Sequence, residues 1–198
     1  MAKDWTGNNK AVYACLGASN HVNDERQGED YYATHPSAAK FLLELVPELN
    51  NIWECACGSG HLAKVFHASD KLASATDLVD RGYGSAGYDF LREEPWVWDG
   101  DIVTNPPYKF AQQFVEKALE AITEDRYVCM FLKLTFLEGK ARKKLFEKYP
   151  PKCLFVSSSR IPCAKDGNFD DYPSSAIAYG WFVWQKGYDG DTIIKWFN

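Results

Sequence analysis

The stretch from Asp101 to Tyr108 constrains this chain most, because a short apolar run is followed directly by Asn-Pro-Pro-Tyr. Ile102 and Val103 are typical of the end of a buried strand. The two prolines then stop that strand, since proline has no backbone N–H to donate to a sheet. Residues 109–119 carry apolar side chains at helical spacing. Strand, rigid turn and helix in this order predict a platform at the carboxyl edge of a sheet, where open α/β folds bind their ligands.

The Asn-Pro-Pro-Tyr turn has a chemistry that suits a planar amine. Pro106 pushes Asn105 towards extended geometry, which fixes the Asn105 side-chain oxygen relative to the Pro106 carbonyl. These two acceptors can take both hydrogens of an –NH2 group, and Tyr108 offers a flat face for stacking. We therefore treat Asn105, Pro106, Pro107 and Tyr108 as candidate catalytic residues. The alternative is an ordinary strand-to-helix turn with incidental prolines, since short motifs also match by chance.

The order of apolar segments predicts the fold class. Strands are predicted at residues 52–56, 72–76, 101–104, 126–133, 153–157, 177–185 and 193–197, with residues 88–91 as a further strand end or a loop. Helices are predicted at residues 38–49, 61–68, 109–123 and 138–148. This alternation favours an α/β, doubly wound, mostly parallel seven-stranded sheet with an antiparallel edge strand. With 198 residues, 46% of them hydrophobic, the chain suits one domain at residues 31–198, preceded by an arm or lid at residues 1–30.

A second motif, Glu54-x-Ala56-x-Gly58-x-Gly60, lies between the first of these strands and a helix. Its glycines allow close backbone approach to a ligand, and a helix N-terminus favours an anionic group. It is neither a dinucleotide fingerprint nor a P-loop. Asp77 ends the next strand and is placed to accept from ribose hydroxyls. Asp89 can accept from an adenine amino group, with Phe90 beside the ring; the alternatives are a plain turn, a helix cap and a loop carboxylate.

The charge of the chain argues against a general nucleic-acid-binding protein, because its net charge is −5 and its pI is about 5.4. A local basic stretch follows residue 139. It predicts either a contact with a polyanion or a solvated helix face. Its members are Lys140, Arg142, Lys143, Lys144, Lys148 and Lys152, and Arg160 and Lys165 follow them.

The six cysteines do not predict a metal site. Cys55 and Cys57 form a pair, but no second Cys/His pair lies at zinc-ligand spacing, which favours free thiols in a reducing compartment. The first residues lack the apolar segment of a signal peptide, and no apolar run is long enough to span a membrane. We therefore expect a soluble, cytoplasmic protein without a metal.

The motifs taken together resemble the class I S-adenosylmethionine-dependent methyltransferases, most closely the small adenine-specific DNA methyltransferases of bacterial phages and prophages. The resemblance extends to the stretches at residues 16–21, 131–139 and 181–187. It rests on Tyr31-Tyr32-x-Thr34-x-Pro36, Glu54-x-Ala56-Cys57-Gly58-Ser59-Gly60, Thr76-Asp77-Leu78, Asp89-Phe90-Leu91 and Asn105-Pro106-Pro107-Tyr108.

The resemblance implies roles for these residues. The cofactor S-adenosylmethionine would contact Tyr31, Tyr32, Thr34, Pro36, Glu54, Ala56, Gly58, Gly60, Asp77, Leu78, Asp89, Phe90 and Asn105. The target base would contact Asn105, Pro106 and Tyr108, and the loop at residues 158–168 would pack against the base or its strand. With the charge pattern, this makes Tyr108, Lys140, Arg142, Lys143, Lys144, Arg160 and Lys165 the candidate DNA contacts. The chain departs from larger family members, since no insertion is long enough to be a target-recognition region.

The resemblance predicts methyl transfer from S-adenosylmethionine to the exocyclic N6 amine of a flipped-out adenine. The partner would be double- or single-stranded DNA in a bacterial host cell, and the enzyme would be a monomer or weak dimer. Its biological role would be either self-protection against restriction or regulation. The same turn also grips an RNA adenine or a protein glutamine amide, so these substrates are alternatives. A further alternative is a non-catalytic phage binding protein that kept the fold.

Overall fold

The computed structural model describes residues 31–92, 97–165, 167–169 and 177–198, with only the backbone of Lys165. The predicted arm at residues 1–30 lies outside these described residues. Among the helices that the structure describes, none is long and apolar enough to cross a membrane.

The described residues form nine strands and four α-helices. The strands are β1 (Tyr32–Thr34), β2 (Ile52–Glu54), β3 (Leu72–Ala75), β4 (Ile102–Thr104), β5 (Tyr127–Lys133), β6 (Cys153–Ser157), β7 (Cys163–Lys165), β8 (Tyr179–Gln185) and β9 (Ile193–Phe197). The helices are α1 (Ser37–Leu45), α2 (Ala63–Ala68), α3 (Ala111–Ala121) and α4 (Lys140–Lys148), with 3-10 turns at Tyr108–Phe110 and Leu134–Leu137.

Seven of the strands form one sheet in the order β3-β2-β4-β5-β8-β6-β9. Every neighbouring pair is parallel except the two pairs that include β8. The predicted mostly parallel, seven-stranded α/β sheet is therefore confirmed. The antiparallel strand is β8, and it lies towards one edge of the sheet, with β6 and β9 beyond it. β9 pairs in parallel with β6 along its whole length.

Of the two alternatives for residues 88–91, a strand end or a loop, the structure has a loop, in which the Asp89 carboxylate accepts from the Leu91 N–H. One helix differs from the sequence-based expectation. The helix predicted at residues 38–49 ends at Leu45, because Val46 precedes a proline and leaves the helical region.

A small second sheet was not predicted. β1 pairs antiparallel with β7, with Thr34 opposite Cys163, and the His35 N–H donates to the Pro162 carbonyl at 3.0 Å. Strands of three residues are too short to show an alternating pattern in a sequence. This sheet holds the segment before α1 against the loop that follows β6.

The core covers both faces of the large sheet. Alternate residues of β5 point to opposite faces, so Cys129 and Phe131 pack on the face of α1 and α2, whereas Val128 and Met130 pack on the face of α3. Almost all residues of β5 and β8 are buried. This three-layer packing fixes the carboxyl ends of the parallel strands, from which the candidate site is built.

The Asp101 carboxylate fixes the start of β4. It is almost fully buried and accepts from the Asn50 N–H at 2.6 Å and from the Tyr127 N–H at 2.8 Å. Burial raises the pKa of Asp101, and these two N–H groups act against that rise. Asp101 therefore positions the strand that carries the Asn-Pro-Pro-Tyr turn.

Candidate active site

The candidate site lies at the carboxyl edge of the parallel strands. The glycine motif follows β2, Asp77 follows β3 and Asn105 follows β4, while Lys133 ends β5. Because these strands are parallel and adjacent, their ends meet at the same edge of the sheet. The structure thus brings the predicted cofactor motif and the predicted amine-binding turn together.

The glycine motif is organised by Asp77. The Gly58 N–H donates to Oδ2 of Asp77 at 2.7 Å, and the Val79 N–H donates to Oδ1 at 2.9 Å. Gly58 has a φ of +54°, which favours glycine, and a Cβ there would lie 2.2 Å from the Tyr31 ring. Each carboxylate oxygen keeps a lone pair, so Asp77 can hold the loop and still accept from a ribose hydroxyl.

Tyr31 ties the segment before β1 to the glycine motif. Its hydroxyl contacts Oγ of Ser59 at 2.5 Å and accepts from the Ser59 N–H at 3.1 Å, and the Ser59 hydroxyl contacts Nδ1 of His61 at 3.1 Å. The guanidinium of Arg81 lies 4.2 Å from the centre of the Tyr31 ring. The structure places Tyr31 beside the glycines, and its contact with a cofactor stays a prediction.

Tyr83 lies on the other side of this loop. A Cβ at Gly60, whose φ is +79°, would lie 2.4 Å from the Tyr83 ring. Sequence reasoning missed Tyr83, since it lies in a glycine-rich link without a recognisable motif. The two tyrosine rings therefore flank the backbone of the glycine motif, and larger residues would displace them.

Glu54 contributes a buried carboxyl at the base of this loop. Its side chain is 2% exposed, and Oε2 has no hydrogen-bond partner among the described residues. Burial raises the pKa of Glu54 well above its usual value, an N–H from Ala63 lowers it, and the nearby Asp77 raises it. Buried polar atoms almost always have partners, so this carboxyl is a candidate for a hydrogen bond to a ligand.

The side-chain amide of Asn105 donates to two groups of β1. Its Nδ2 donates to Oγ1 of Thr34 at 2.7 Å and to the Tyr32 carbonyl at 3.3 Å. Because a carbonyl can only accept, the Tyr32 contact determines which end of the amide carries the hydrogens. Oδ1 of Asn105 is buried without a partner among the residues that the structure describes. Asn105 therefore keeps one amide acceptor without a partner in the described residues, and its contact with a substrate amine stays a prediction.

Tyr108 is held by side chains from β5 and β8. Its hydroxyl donates to the Tyr179 hydroxyl at 3.0 Å, and Nζ of Lys133 lies 4.0 Å from the centre of its ring. The Tyr32 ring lies 6.2 Å away, tilted by 30°. Burial raises the pKa of Tyr108 well above its usual value, so its phenol is neutral at physiological pH.

Sequence reasoning assigned no role to Tyr179 or to Lys133, although Lys133 lies in the stretch 131–139 that resembles the phage enzymes. They face each other in the register of β5 and β8, at the end of β5 nearest to the candidate site. Only the pairing of these two strands reveals the contact, because the residues are far apart in the sequence. The signal that sequence offered was a lysine at the end of an otherwise apolar strand.

The thiol of Cys163 lies beside the same cluster, within hydrogen-bonding reach of the side chains of Thr34, Tyr108 and Tyr179. Burial raises its pKa to about 11. A thiol that stays protonated is a poor nucleophile. Within the described parts of the chain, no group of His, Cys, Asp or Glu side chains is placed to hold a metal ion.

The remaining predicted cofactor residues lie around the edge of the site. Pro36 precedes α1, Ala56 is in the turn after β2, and Leu78 follows Asp77 with 57% of its side chain exposed. The Asp89 carboxylate accepts from the Leu91 N–H at 3.1 Å and pairs with Arg92 at 3.3 Å.

Phe90 belongs to the core. It is 2% exposed and stacks on Phe114 at a ring distance of 5.0 Å, with Trp53 edge-on at 5.4 Å. The adenine contact expected for Phe90 stays a prediction, and this packing leaves little of the ring for it.

The predicted basic residues mostly lie on α4. Lys140 and Lys144 are exposed, whereas Lys143 pairs with Glu147. Arg142 donates to the Thr135 carbonyl at 2.7 Å and so holds the turn between β5 and α4. Arg160 is exposed in the loop after β6, and the side chain of Lys165 lies outside the described atoms. Exposed positive charge is therefore carried mainly by α4, the helix that follows β5 and its 3-10 turn.

Comparison with known proteins gives a fold but no sequence family. No protein-family model and no curated protein sequence matches this chain. A candidate class I S-adenosylmethionine-dependent methyltransferase from Listeria monocytogenes superposes with a TM-score of 0.57 at 11% identity, over 94% of this chain and 71% of that chain. A candidate RNA methyltransferase from Pyrococcus horikoshii gives 0.57 at 14% identity, over 91% of this chain and 99% of that chain.

The type IIG restriction endonuclease BpuSI is similar over part of its length, with a TM-score of 0.58 at 16% identity, over 82% of this chain and 26% of that chain. Identities this low report shared architecture alone. The fold is the Rossmann-like fold of the class I S-adenosylmethionine-dependent methyltransferases, as the sequence predicted.

Proposed function

We propose that this chain is an S-adenosylmethionine-dependent methyltransferase that modifies the N6 amine of a flipped-out adenine in DNA. The observation that carries the proposal is the buried, unpartnered Oδ1 of Asn105 at the end of β4. It is one of four buried side-chain polar atoms without a partner in the described residues, and Glu54 contributes another. Both residues belong to motifs that the sequence marked independently.

The cofactor residues fit S-adenosylmethionine. Asp77 offers acceptors for ribose hydroxyls, and the buried Glu54 oxygen offers an acceptor close to the glycine motif. When bound, the cofactor would supply a methyl group already activated on a sulfonium. The residues of the chain then have to align the amine with that methyl and exclude water.

The substrate residues fit a planar amine. Oδ1 of Asn105 and the Pro106 carbonyl accept the two hydrogens of the amine and stabilise the positive charge that develops on its nitrogen. Extruding a base from a duplex costs a few kcal/mol. Stacking on Tyr108 offsets part of this cost, since a base on an aromatic side chain contributes about 1–3 kcal/mol.

DNA is favoured over other substrates by the resemblance of the motifs to phage adenine methyltransferases. An adenine in RNA and a glutamine amide in a protein present the same planar –NH2 group, so they are the competing substrates. A non-catalytic role is disfavoured by Asn105, whose amide is held in place while its acceptor stays unused.

The proposal is tested by offering methyl-labelled S-adenosylmethionine with unmethylated duplex DNA, single-stranded DNA, RNA or a protein extract. We expect label in DNA, and loss of that label with Asn105→Ala in reactions that contain saturating cofactor. Label only in RNA or protein would contradict the DNA assignment. Absence of cofactor binding would contradict the methyltransferase assignment itself.

A further inference from the structure

Lys133 adds a positive charge beside the predicted stacking ring of Tyr108. It ends β5, and its ammonium lies 4.0 Å from the centre of the Tyr108 ring, the ring on which the substrate is expected to stack. Tyr179, directly opposite Lys133 in the β5–β8 register, holds the hydroxyl of the same ring. The end of this strand pair therefore places one positive charge at the substrate platform.

A nucleobase and a protein amide differ in what accompanies the amine. A nucleotide carries an anionic phosphate attached through its sugar, whereas a glutamine amide carries no charge of its own. A lysine ammonium is a compact charge with three donors, which suits a phosphate. An ammonium beside the stacking platform thus favours substrates whose planar group is linked to phosphate.

The surroundings extend this charge along the surface. The turn at Leu134–Leu137 connects Lys133 directly to α4, whose exposed lysines include Lys140 and Lys144. Arg142 fixes that turn by donating to the Thr135 carbonyl at 2.7 Å. On a chain whose net charge is −5, α4 and Lys133 therefore contribute positive charge within one continuous segment of the sequence.

We propose that Lys133 is a substrate-positioning residue that contacts a backbone phosphate at or next to the flipped nucleotide, so that the substrate of this site is nucleic acid rather than a protein amide. The inference rests on the proposed function, because it requires a methyltransferase whose substrate stacks on Tyr108. The competing roles for Lys133 are support of the Tyr108 ring alone and repulsion of cationic substrates.

The salt dependence of binding separates these roles. Each phosphate contact on duplex DNA contributes about 0.9 to the slope of log affinity against log salt, and about 0.7 on a single strand. We expect Lys133→Gln to raise the KM for unmethylated plasmid fragments at low salt and to reduce this slope by about one contact. Lys133→Arg keeps the charge and is expected to keep the slope.

The matched control is Lys195→Gln, which changes net charge equally but lies on β9, the outermost strand of the sheet. It is expected to leave the slope and the KM unchanged. Cofactor affinity and thermal unfolding of each variant report whether the fold is intact. A lower slope in Lys133→Gln, with Lys133→Arg and Lys195→Gln at wild-type values, supports the inference.

An unchanged slope in Lys133→Gln, or an equal reduction of the slope in Lys133→Gln and Lys133→Arg, would contradict the phosphate contact. Transfer to DNA by the wild type would in that case still support the proposed function. If the wild type transfers no methyl group to any nucleic acid but does modify protein, the proposed DNA function fails first. These two failures are therefore distinguishable in one set of reactions.

Discussion

The side-chain amide of Asn105 donates to the hydroxyl of Thr34 at 2.7 Å, which links the segment before α1 to the turn after β4. Thr34 belongs to a predicted cofactor motif, and Asn105 is the predicted grip on the substrate amine. The hydrogen bond orients the Asn105 amide so that Oδ1 stays unused. This bond therefore links the predicted cofactor segment to the predicted amine-binding turn.

Replacing Thr34 by valine tests this link. Thr34→Val keeps the volume but removes the shorter of the two contacts that hold the Asn105 amide, so Asn105 is held less firmly. We expect kcat to fall about 2- to 10-fold, the effect of about 0.5–1.5 kcal/mol for one hydrogen bond. Thr104→Val controls for the substitution itself, because the Thr104 hydroxyl is buried without a partner in the described residues, and its loss should not lower the free energy of unfolding. An unchanged kcat in Thr34→Val would contradict the link.

The close approach at Gly58 gives a second prediction. Gly58→Ala adds a Cβ that lies 2.2 Å from the Tyr31 ring, at a φ of +54°. A left-handed conformation costs an alanine about 1–2 kcal/mol before any clash is counted. Gly82→Ala has a similar φ of +78° but nothing within 4 Å of its Cβ, so it isolates the backbone cost. We expect urea unfolding to show a larger loss for Gly58→Ala, together with weaker cofactor binding. Equal losses in the two variants would show that Tyr31 does not pack against the loop.

The buried carboxyl of Glu54 gives a prediction about pH. Burial raises its pKa in the folded chain above the usual value of 4.5. The stability that this group contributes is therefore full below pH 4.5 and is lost as pH rises through the folded pKa. Glu54→Gln does not titrate, so the free energy of unfolding of the wild type should fall relative to this variant as pH rises above 4.5.

Glu54→Gln should weaken cofactor binding while it raises the relative stability, because the substitution turns one acceptor of the site into a donor. We expect the variant to be relatively more stable at neutral pH and to bind S-adenosylmethionine more weakly. Urea unfolding across the pH range and calorimetric titration measure the two effects. Parallel stability profiles for the two proteins would show that Glu54 is not perturbed.

The hydroxyl pair of Tyr108 and Tyr179 gives a prediction about substrate positioning. Tyr179→Phe removes the acceptor for Tyr108, and Tyr108→Phe removes the donor. Each change should lower kcat/KM about fivefold, for a loss of about 1 kcal/mol. The double variant should lose little more than either single one, because both remove the same bond. Fully additive losses would argue against this contact.

The sequence predicted the architecture well because its signals are local. Apolar runs, the glycine motif and the Pro106–Pro107 break are each readable within a few residues, and together they indicated the parallel strands and their carboxyl edge. The two-stranded sheet of β1 and β7 escaped prediction, since three-residue strands show no period.

The predicted site was incomplete for a related reason. Motifs identified Asn105 and Tyr108 but not the contacts that hold them. Asn105 bonds to Thr34, and Tyr108 contacts Tyr179 and Lys133. These partners are distant in the sequence, so no local pattern reveals the contacts. Phe90 shows the reverse, since a motif suggested a ligand contact where the structure packs the ring into the core.

The most direct test of the central claim is the identity of the methylated product. Unmethylated duplex DNA is incubated with S-adenosylmethionine and either the wild type or Asn105→Ala, and its nucleosides are then analysed by mass spectrometry. We predict N6-methyldeoxyadenosine with the wild type and, with the variant, a rate lower by about 10²-fold or more, as for loss of one transition-state-stabilising group. A methyl group on another atom, or equal rates for the two proteins, would contradict the assignment of Asn105 as the residue that grips the amine.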